Sequence, residues 1–142
     1  MWKAVAASWF SWTFRVLEND RQITQLERSW VGNTGSFALD RVEYRIRRDG
    51  LRSFALERDG HVLARTRSAF GRRFDVTAHD RMLTLKPRSL FTRTYIVLHG
   101  DREIGSMRAT TFFRRAAEID FPPQLLLPLR LFLAFLVITA WR

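Results

Sequence analysis

The carboxyl-terminal segment constrains the fold of this chain more than any other part. Residues Leu125–Trp141 are apolar apart from Pro128, Arg130 and Thr139, with no polar face. A helix that is hydrophobic all round must be enclosed, either by protein or by lipid. Proline is tolerated in the first turn of a helix, so the helix should begin near Pro128. The sequence therefore predicts a hydrophobic helix at about residues 125–141.

The length of this helix bears on what encloses it. From Pro128 to Ala140 it would extend about 20 Å at 1.5 Å per residue. The hydrocarbon core of a bilayer is roughly 30 Å thick, and Arg130 would be costly in a lipid-facing segment. These points favour a helix enclosed by the protein's own strands, and a carboxyl-terminal membrane anchor is the alternative.

Turn signals divide the preceding residues into short segments. They recur about every ten residues, which is typical of β-sandwiches and β-barrels. Asp-Gly between alternating segments is a strong signal for a tight hairpin, because both central residues of that turn need positive φ. The signals are Asn19-Asp20, Gly32-Asn33-Thr34-Gly35, Asp49-Gly50, Asp59-Gly60, Phe70-Gly71, His79-Asp80 and Gly100-Asp101.

Between the turns, apolar and polar residues alternate with a period of two. Val42, Tyr44 and Ile46 are separated by charged residues, the pattern of antiparallel strands with one face on the core and one in water. The predicted strands are 1–8, 12–18, 22–30, 36–48, 51–58, 61–67, 72–78, 82–87, 93–99, 102–107 and 111–119.

We therefore expect a mainly β protein consisting of one domain over residues 1–142. Its fold should be a closed antiparallel β-barrel of about 11–12 strands around the hydrophobic carboxyl-terminal helix. Residues three and four apart share a face of a helix, which predicts a common stripe for the larger side chains. The predicted core of the helix is Leu131, Phe132, Phe135 and Leu136.

Two passages near the carboxyl terminus carry a resemblance to a known family. Arg102-Glu103-Ile104-Gly105-Ser106-Met107 is followed by Ala117-Glu118-Ile119-Asp120-Phe121-Pro122, and then by the apolar helix. This pattern resembles the tubby C-terminal domain-like superfamily, which includes LURP-one-related proteins and phospholipid scramblases. The resemblance implies a helix that threads the barrel. The cysteine-rich and proline-rich tails and the calcium loop of scramblases are absent, so scrambling activity does not carry over.

The charge of the chain favours anionic partners. The net charge is +10, and of the 24 basic residues only Lys3 and Lys86 are lysine. Arginines two apart on a strand point the same way, and guanidinium groups bind phosphate bidentately. Tubby domains hold phosphoinositide head groups with basic residues in this arrangement. The candidate lipid-binding residues are Arg45, Arg47, Arg65 and Arg67, to which Arg73, Lys86, Arg88 and Arg93 would add. The alternative is a solvated outer face.

The sequence contains little that would support catalysis. The absence of cysteine excludes disulfides and cysteine-ligated metals. His61, His79 and His99 have no helical partner at metal-ligand spacing, and there is no nucleophile elbow or phosphate-binding glycine loop. We therefore expect no enzyme activity, no catalytic residues, no metal and no cofactor.

The expected function is that of a non-catalytic binding or scaffold module. We expect it to associate with anionic membrane lipid of the phosphoinositide type, in the cytoplasm and at the membrane periphery. A cleaved signal is not expected, because Ser8, Ser11 and Arg15 interrupt the amino-terminal apolar stretch. A nucleic-acid-binding barrel is less favoured, since Trp9, Phe10 and other aromatics are not interleaved with the arginine pairs. The third possibility is a carboxyl-terminally anchored protein with an unknown protein partner.

Overall fold

Twelve antiparallel strands form a closed barrel around one helix. The computed structural model describes residues 1–7, 13–29, 34–50, 53–68, 72–79, 81–89, 92–110 and 116–141. The strands are β1 (Trp2–Ala6), β2 (Thr13–Glu18), β3 (Arg21–Ser29), β4 (Thr34–Leu39), β5 (Val42–Arg48), β6 (Ser53–Arg58), β7 (His61–Ser68), β8 (Phe74–Ala78), β9 (Arg81–Pro87), β10 (Thr94–His99), β11 (Arg102–Ala109) and β12 (Ala116–Asp120). The helix is α1 (Leu127–Ala140).

The order of the strands around the barrel is their order in the sequence. Every strand pairs with the strands before and after it, and β1 pairs with β12 to close the sheet. Trp2 lies opposite Ile119 in this closing pair, and Val5 lies opposite Ala116. Closure removes the unpaired edges that an open sheet would expose. The predicted closed antiparallel barrel is confirmed.

The two ends of the barrel differ in their connections. At one end, here called the hairpin end, two residues join each strand to the next at 19–20, 40–41, 59–60, 79–80 and 100–101. Pairs such as Asn19 and Asp20, with φ of 51° and 63°, have the backbone that tight hairpins require. At the other end, here called the long-loop end, four to six residues join the strands, at 7–12, 30–33, 49–52, 69–73, 88–93 and 110–115.

Two sequence-based predictions about turns are wrong. The predicted strand 36–48 is two strands, because Asp40 and Arg41 adopt φ of 49° and 66° and reverse the chain. Conversely, Asp49-Gly50 is not a tight two-residue hairpin. Gly50 alone of the two has positive φ, at 114°, and the connection spans 49–52.

Other predicted boundaries shift or lie outside the described residues. The predicted last strand, 111–119, is observed as Ala116–Asp120, and residues 111–115 lie outside the described ranges. Thr34 and Gly35, predicted as part of a turn with Gly32 and Asn33, belong to β4, and residues 32–33 are outside the described ranges. The predicted turn at Phe70-Gly71 also falls outside them, as do Trp9, Phe10 and Trp12.

The helix fills the barrel. Pro128 is its second residue, in agreement with the predicted start. The seven consecutive residues Leu131–Val137, which include the predicted core residues Leu131, Phe132, Phe135 and Leu136, have no exposed surface. Seven residues make almost two full turns, so every side of the helix is covered. The ring of Phe135 meets that of Phe54 on β6 edge-on, with centroids 5.8 Å apart.

Polar contacts hold both ends of the helix. At the hairpin end, the Nε of Arg130 donates to the carbonyl oxygen of Leu125 at 3.0 Å, and its guanidinium carbon lies 4.6 Å from the ring centroid of Trp2. Burial lowers the pKa of Arg130. At the long-loop end, the indole Nε1 of Trp141 donates to the carbonyl oxygen of Arg93 at 3.1 Å. Among the described residues, no helix combines the length and apolarity needed to span a bilayer.

Two glycines allow other parts of the chain to pack closely against the strands of the barrel. A Cβ on Gly35 of β4 would lie 2.6 Å from Cε2 of Phe135. A Cβ on Gly105 of β11 would lie 2.7 Å from the carbonyl oxygen of Asp120 and 3.0 Å from Cδ of Pro122. Gly35 therefore accommodates the central helix, and Gly105 lets the chain leaving β12 turn close over β11. This is a physical reason for the Ile-Gly passage in the sequence.

We predict that Phe135→Asp abolishes folding. The barrel interior gives an unpaired carboxylate nothing to replace its hydration. The matched control is Leu126→Asp, because Leu126 precedes the helix and its residue surface is 64% exposed. Circular dichroism and thermal melting of both variants test this. A cooperatively folded Phe135→Asp protein would contradict the enclosed position of the helix.

We also predict that Gly35→Ala lowers the free energy of unfolding by about 1–3 kcal/mol, the range for an overpacked core. The added methyl would collide with the ring of Phe135. Phe135→Leu removes the ring, so the double variant should show a favourable coupling in a denaturant-unfolding cycle. If the effects of the two substitutions on the free energy of unfolding are additive, the contact between residue 35 and the Phe135 ring does not determine the cost of Gly35→Ala.

Candidate functional site

Charge is distributed unevenly along the barrel axis. The long-loop half is defined here as the halves of the strands next to the long-loop end, together with the connections at that end. Its described residues include twelve basic and three acidic side chains. The basic ones are Arg15, Arg28, Arg47, Arg48, Arg65, Arg67, Arg72, Arg73, Lys86, Arg88, Arg93 and Arg108; the acidic ones are Glu27, Asp49 and Asp75. This half therefore has a formal charge of +9 in its described part.

The hairpin half has the opposite balance. Its described residues include seven basic and nine acidic side chains, a formal charge of −2. The basic ones are Lys3, Arg21, Arg41, Arg58, Arg81, Arg102 and Arg130; the acidic ones are Glu18, Asp20, Asp40, Glu43, Glu57, Asp59, Asp101, Glu103 and Asp120. Arg45 and Glu118 lie at mid-strand. The described part of the barrel thus has its positive formal charge at the long-loop end and its negative formal charge at the hairpin end.

The four predicted lipid-binding arginines lie on the outer face, but most of them are paired with acids. Arg47 donates from Nε and Nη2 to Oε1 of Glu57 at 2.9 and 2.7 Å. Hydrogen bonding to Glu57 raises the pKa of Arg47. Arg45 contacts Glu43 at 3.2 Å. The structure therefore does not present Arg45 and Arg47 as two unengaged guanidinium groups.

Asp49 connects the two predicted arginine pairs. Its Oδ1 lies 3.5 Å from Nη1 of Arg47, and its Oδ2 accepts from Nη1 of Arg65 at 2.9 Å. Ala55 on β6 is the register partner of Arg47 on β5 and of Arg65 on β7. The backbones of the two arginines are therefore two strand spacings apart, about 9.6 Å. Ala55 points outward yet has no exposed surface, which we attribute to the arginine stems over it. Arg67 has no ion pair among the described residues.

A groove of about 650 Å³ lies beside Arg45 and Arg47. Three arginines line it, including the inward-facing Arg28, which is 6% exposed. Three glutamates line it as well, together with hydroxyl groups such as those of Ser29 and Ser36. Because acids and bases balance, this groove does not by itself select an anionic head group. The excess of positive charge belongs to the whole long-loop half.

Arg72 shows how a basic side chain is positioned at that end. The hydroxyl of Tyr95 donates to the Arg72 carbonyl oxygen at 3.0 Å, and the Arg72 guanidinium lies 5.9 Å from the Tyr95 ring centroid. Nη2 of Arg72 also donates to the carbonyl oxygen of Thr92 at 3.3 Å. The carbonyl of Thr92, just before β10, and the Tyr95 side chain of β10 thus hold one charge in place at the long-loop end. Burial raises the pKa of Tyr95, so its hydroxyl remains a donor at neutral pH.

The histidines lie at the opposite end from this charge. His61 begins β7, His79 is in the turn after β8, and His99 ends β10, all at the hairpin end. Among the described ranges, no three His, Asp or Glu side chains are grouped so that they could hold a metal ion.

Sequence reasoning found the arginines but missed their segregation along the axis. The signal was present in the sequence, because Asp20, Asp40, Asp59, Asp80 and Asp101 occur at intervals of about twenty residues, in every second connection. In an antiparallel barrel, every second connection lies at the same end. The acidic turns therefore collect at one end and leave the other basic.

Comparison with known proteins returns nothing that can assign this site, since no family model, curated protein or solved structure matches the chain. The resemblance to the tubby-like superfamily therefore stays a prediction.

Proposed function

We propose that this protein is a non-catalytic binding module that associates with anionic membrane surfaces through its long-loop end. The observation that carries the proposal is the charge of +9 on the described part of that half, against −2 on the other. A surface of anionic lipids attracts basic residues by about 1 kcal/mol each when they are close to it. The resemblance to tubby-like proteins points in the same direction.

The axial distribution favours one orientation of the barrel. Screening limits attraction to charges within about 8–10 Å of the surface at physiological salt. If the long-loop end faces the lipid, exposed side chains such as Arg48, Arg67 and Arg73 lie nearest to it, while the acidic turns point away. A barrel lying on its side would bring acidic and basic residues to the surface together. The axis should therefore stand closer to the membrane normal than to its plane.

Nucleic acid is the second candidate partner, because phosphate backbones also attract a basic surface. Proteins that bind single strands without sequence preference stack the bases on exposed aromatic rings. All the aromatic side chains in the described part of this chain are buried. Within the described residues, this favours lipid over nucleic acid as the proposed partner.

Reversing charge at one end and then at the other tests the proposal. The triple variant Arg48→Glu, Arg67→Glu and Arg73→Glu should weaken binding to phosphatidylserine-containing vesicles by about two orders of magnitude or more, at about 1 kcal/mol per basic residue. The control triple, Arg21→Glu, Arg58→Glu and Arg102→Glu, changes net charge equally at the hairpin end and should bind nearly as wild type. Vesicle co-sedimentation at one ionic strength measures both.

Neutral vesicles and a single-stranded oligonucleotide belong in the same experiment. The wild type should ignore phosphatidylcholine vesicles and prefer anionic vesicles to the oligonucleotide. Equal loss in both triple variants would show that net charge alone matters, and would contradict the proposed orientation. Preference for the oligonucleotide would replace the lipid proposal with the nucleic-acid one.

Removing a single carboxylate should have the reverse effect. Asp49→Asn eliminates the acid that engages Arg47 and Arg65 at the long-loop end. We expect anionic-vesicle affinity to rise about fivefold, the equivalent of one unit charge near the surface. Asp59→Asn is the matched control, since it removes the same charge from a hairpin turn where asparagine tolerates positive φ. An equal rise in both variants would argue against a defined binding end.

A further inference from the structure

A cavity of about 290 Å³ lies at the hairpin end, away from the proposed membrane-binding surface. It lies between the start of the helix and the parts of β6 to β9 that are next to the hairpin end. Leu125 and Leu129 line it on the helix side, and Leu56 and Leu63 line it on the strand side. Leu126, which is 64% exposed, is at its boundary with solvent.

Small side chains on two neighbouring strands leave this space open. Ala64 on β7 and Ala78 on β8 both line the cavity and are 3% and 7% exposed. Inward positions such as Phe54 on β6 and Leu85 on β9 carry larger core side chains. The volume corresponds to on the order of ten water-sized groups. An unbranched chain of about that many carbon atoms would fill it.

The charged group that lines the cavity is a cation. Eight of its eleven lining residues are apolar, and the others are His79, Arg81 and Gln124. No acidic side chain lines it among the described residues. Arg81 is exposed and has no hydrogen-bond or ion-pair partner in the described part of the chain. The adjacent helix begins without a side-chain cap, which adds positive potential on the same side.

We propose that this cavity binds an amphiphile with an unbranched apolar chain and an anionic head group. The chain would lie between Ala64, Ala78 and Leu129, and the carboxylate or phosphate would accept hydrogen bonds from Arg81. Apolar walls with a few convergent polar groups are the usual form of a small-molecule site. This site is at the opposite end from the proposed membrane-binding surface, so either proposal can fail without the other.

Calorimetric titration with decanoate, decyl phosphate and decanol, each below its micellar or solubility limit, tests the proposal. Wild type should bind the two anions and bind decanol at least tenfold more weakly. Arg81→Gln should weaken anion binding about tenfold or more, the loss of a hydrogen bond to a charged group, and should abolish the preference over decanol. Arg102→Gln, at the equivalent place after the next hairpin turn, should bind as wild type.

Filling the cavity provides an independent readout. Ala78→Leu should eliminate binding of both anions while leaving the melting temperature unchanged or higher, because it occupies empty space. Ala64→Val is the smaller substitution if the leucine variant does not fold. The proposal is overturned if folded cavity-filled variants still bind, if decanol binds as tightly as decanoate, or if neither anion binds. Tighter binding of decyl phosphate than of decanoate, or the reverse, identifies the head group within the proposed class.

Discussion

The enclosure of an apolar helix by the sheet is the constraint on which the rest of this structure depends. Leu131–Val137 have no exposed surface, so the strands must surround them completely. Fully burying a leucine or phenylalanine side chain contributes about 1.5–3 kcal/mol, and several such side chains together exceed the typical stability of a domain. Two positions in the strands meet this requirement by having no side chain. Gly35 leaves room for the ring of Phe135, and Gly105 leaves room for the chain that follows β12.

A filled interior also determines what the outer surface can do. Each strand points alternate residues at the helix, so the remaining positions are free to carry charge. Because the strands run up and down in sequence order, residues in alternate connections collect at the same end. Acidic residues occupy the tight turns such as Asp59-Gly60, and the opposite end keeps an excess of arginine. Short-range turn chemistry and antiparallel topology together thus produce a charged surface that the proposed membrane function would use.

The sequence predicts the parts of this fold that depend on neighbouring residues. The start of the helix at Pro128 and the tight turn at Asn19-Asp20 follow from local chemistry. The division of 36–48 was missed because the alternation of side chains continues up to Asp40-Arg41, and arginine is rare at positive φ. The partners of the arginines could not be predicted, because Arg65 meets Asp49 sixteen residues away across β6. Such pairs depend on strand register and barrel closure, which no local pattern specifies.

Native-state hydrogen exchange of the amides of Leu131–Val137, with and without anionic vesicles, tests most directly whether this helix is the permanent core of the barrel. We expect these amides to exchange only through global unfolding, at the free energy measured for the whole protein. Vesicles should leave this coupling between helix and strands intact while the protein binds. Exchange of the helix by local opening while the strands stay protected would contradict the account. So would vesicle-induced loss of strand protection, which is expected if the helix leaves the barrel to enter the membrane.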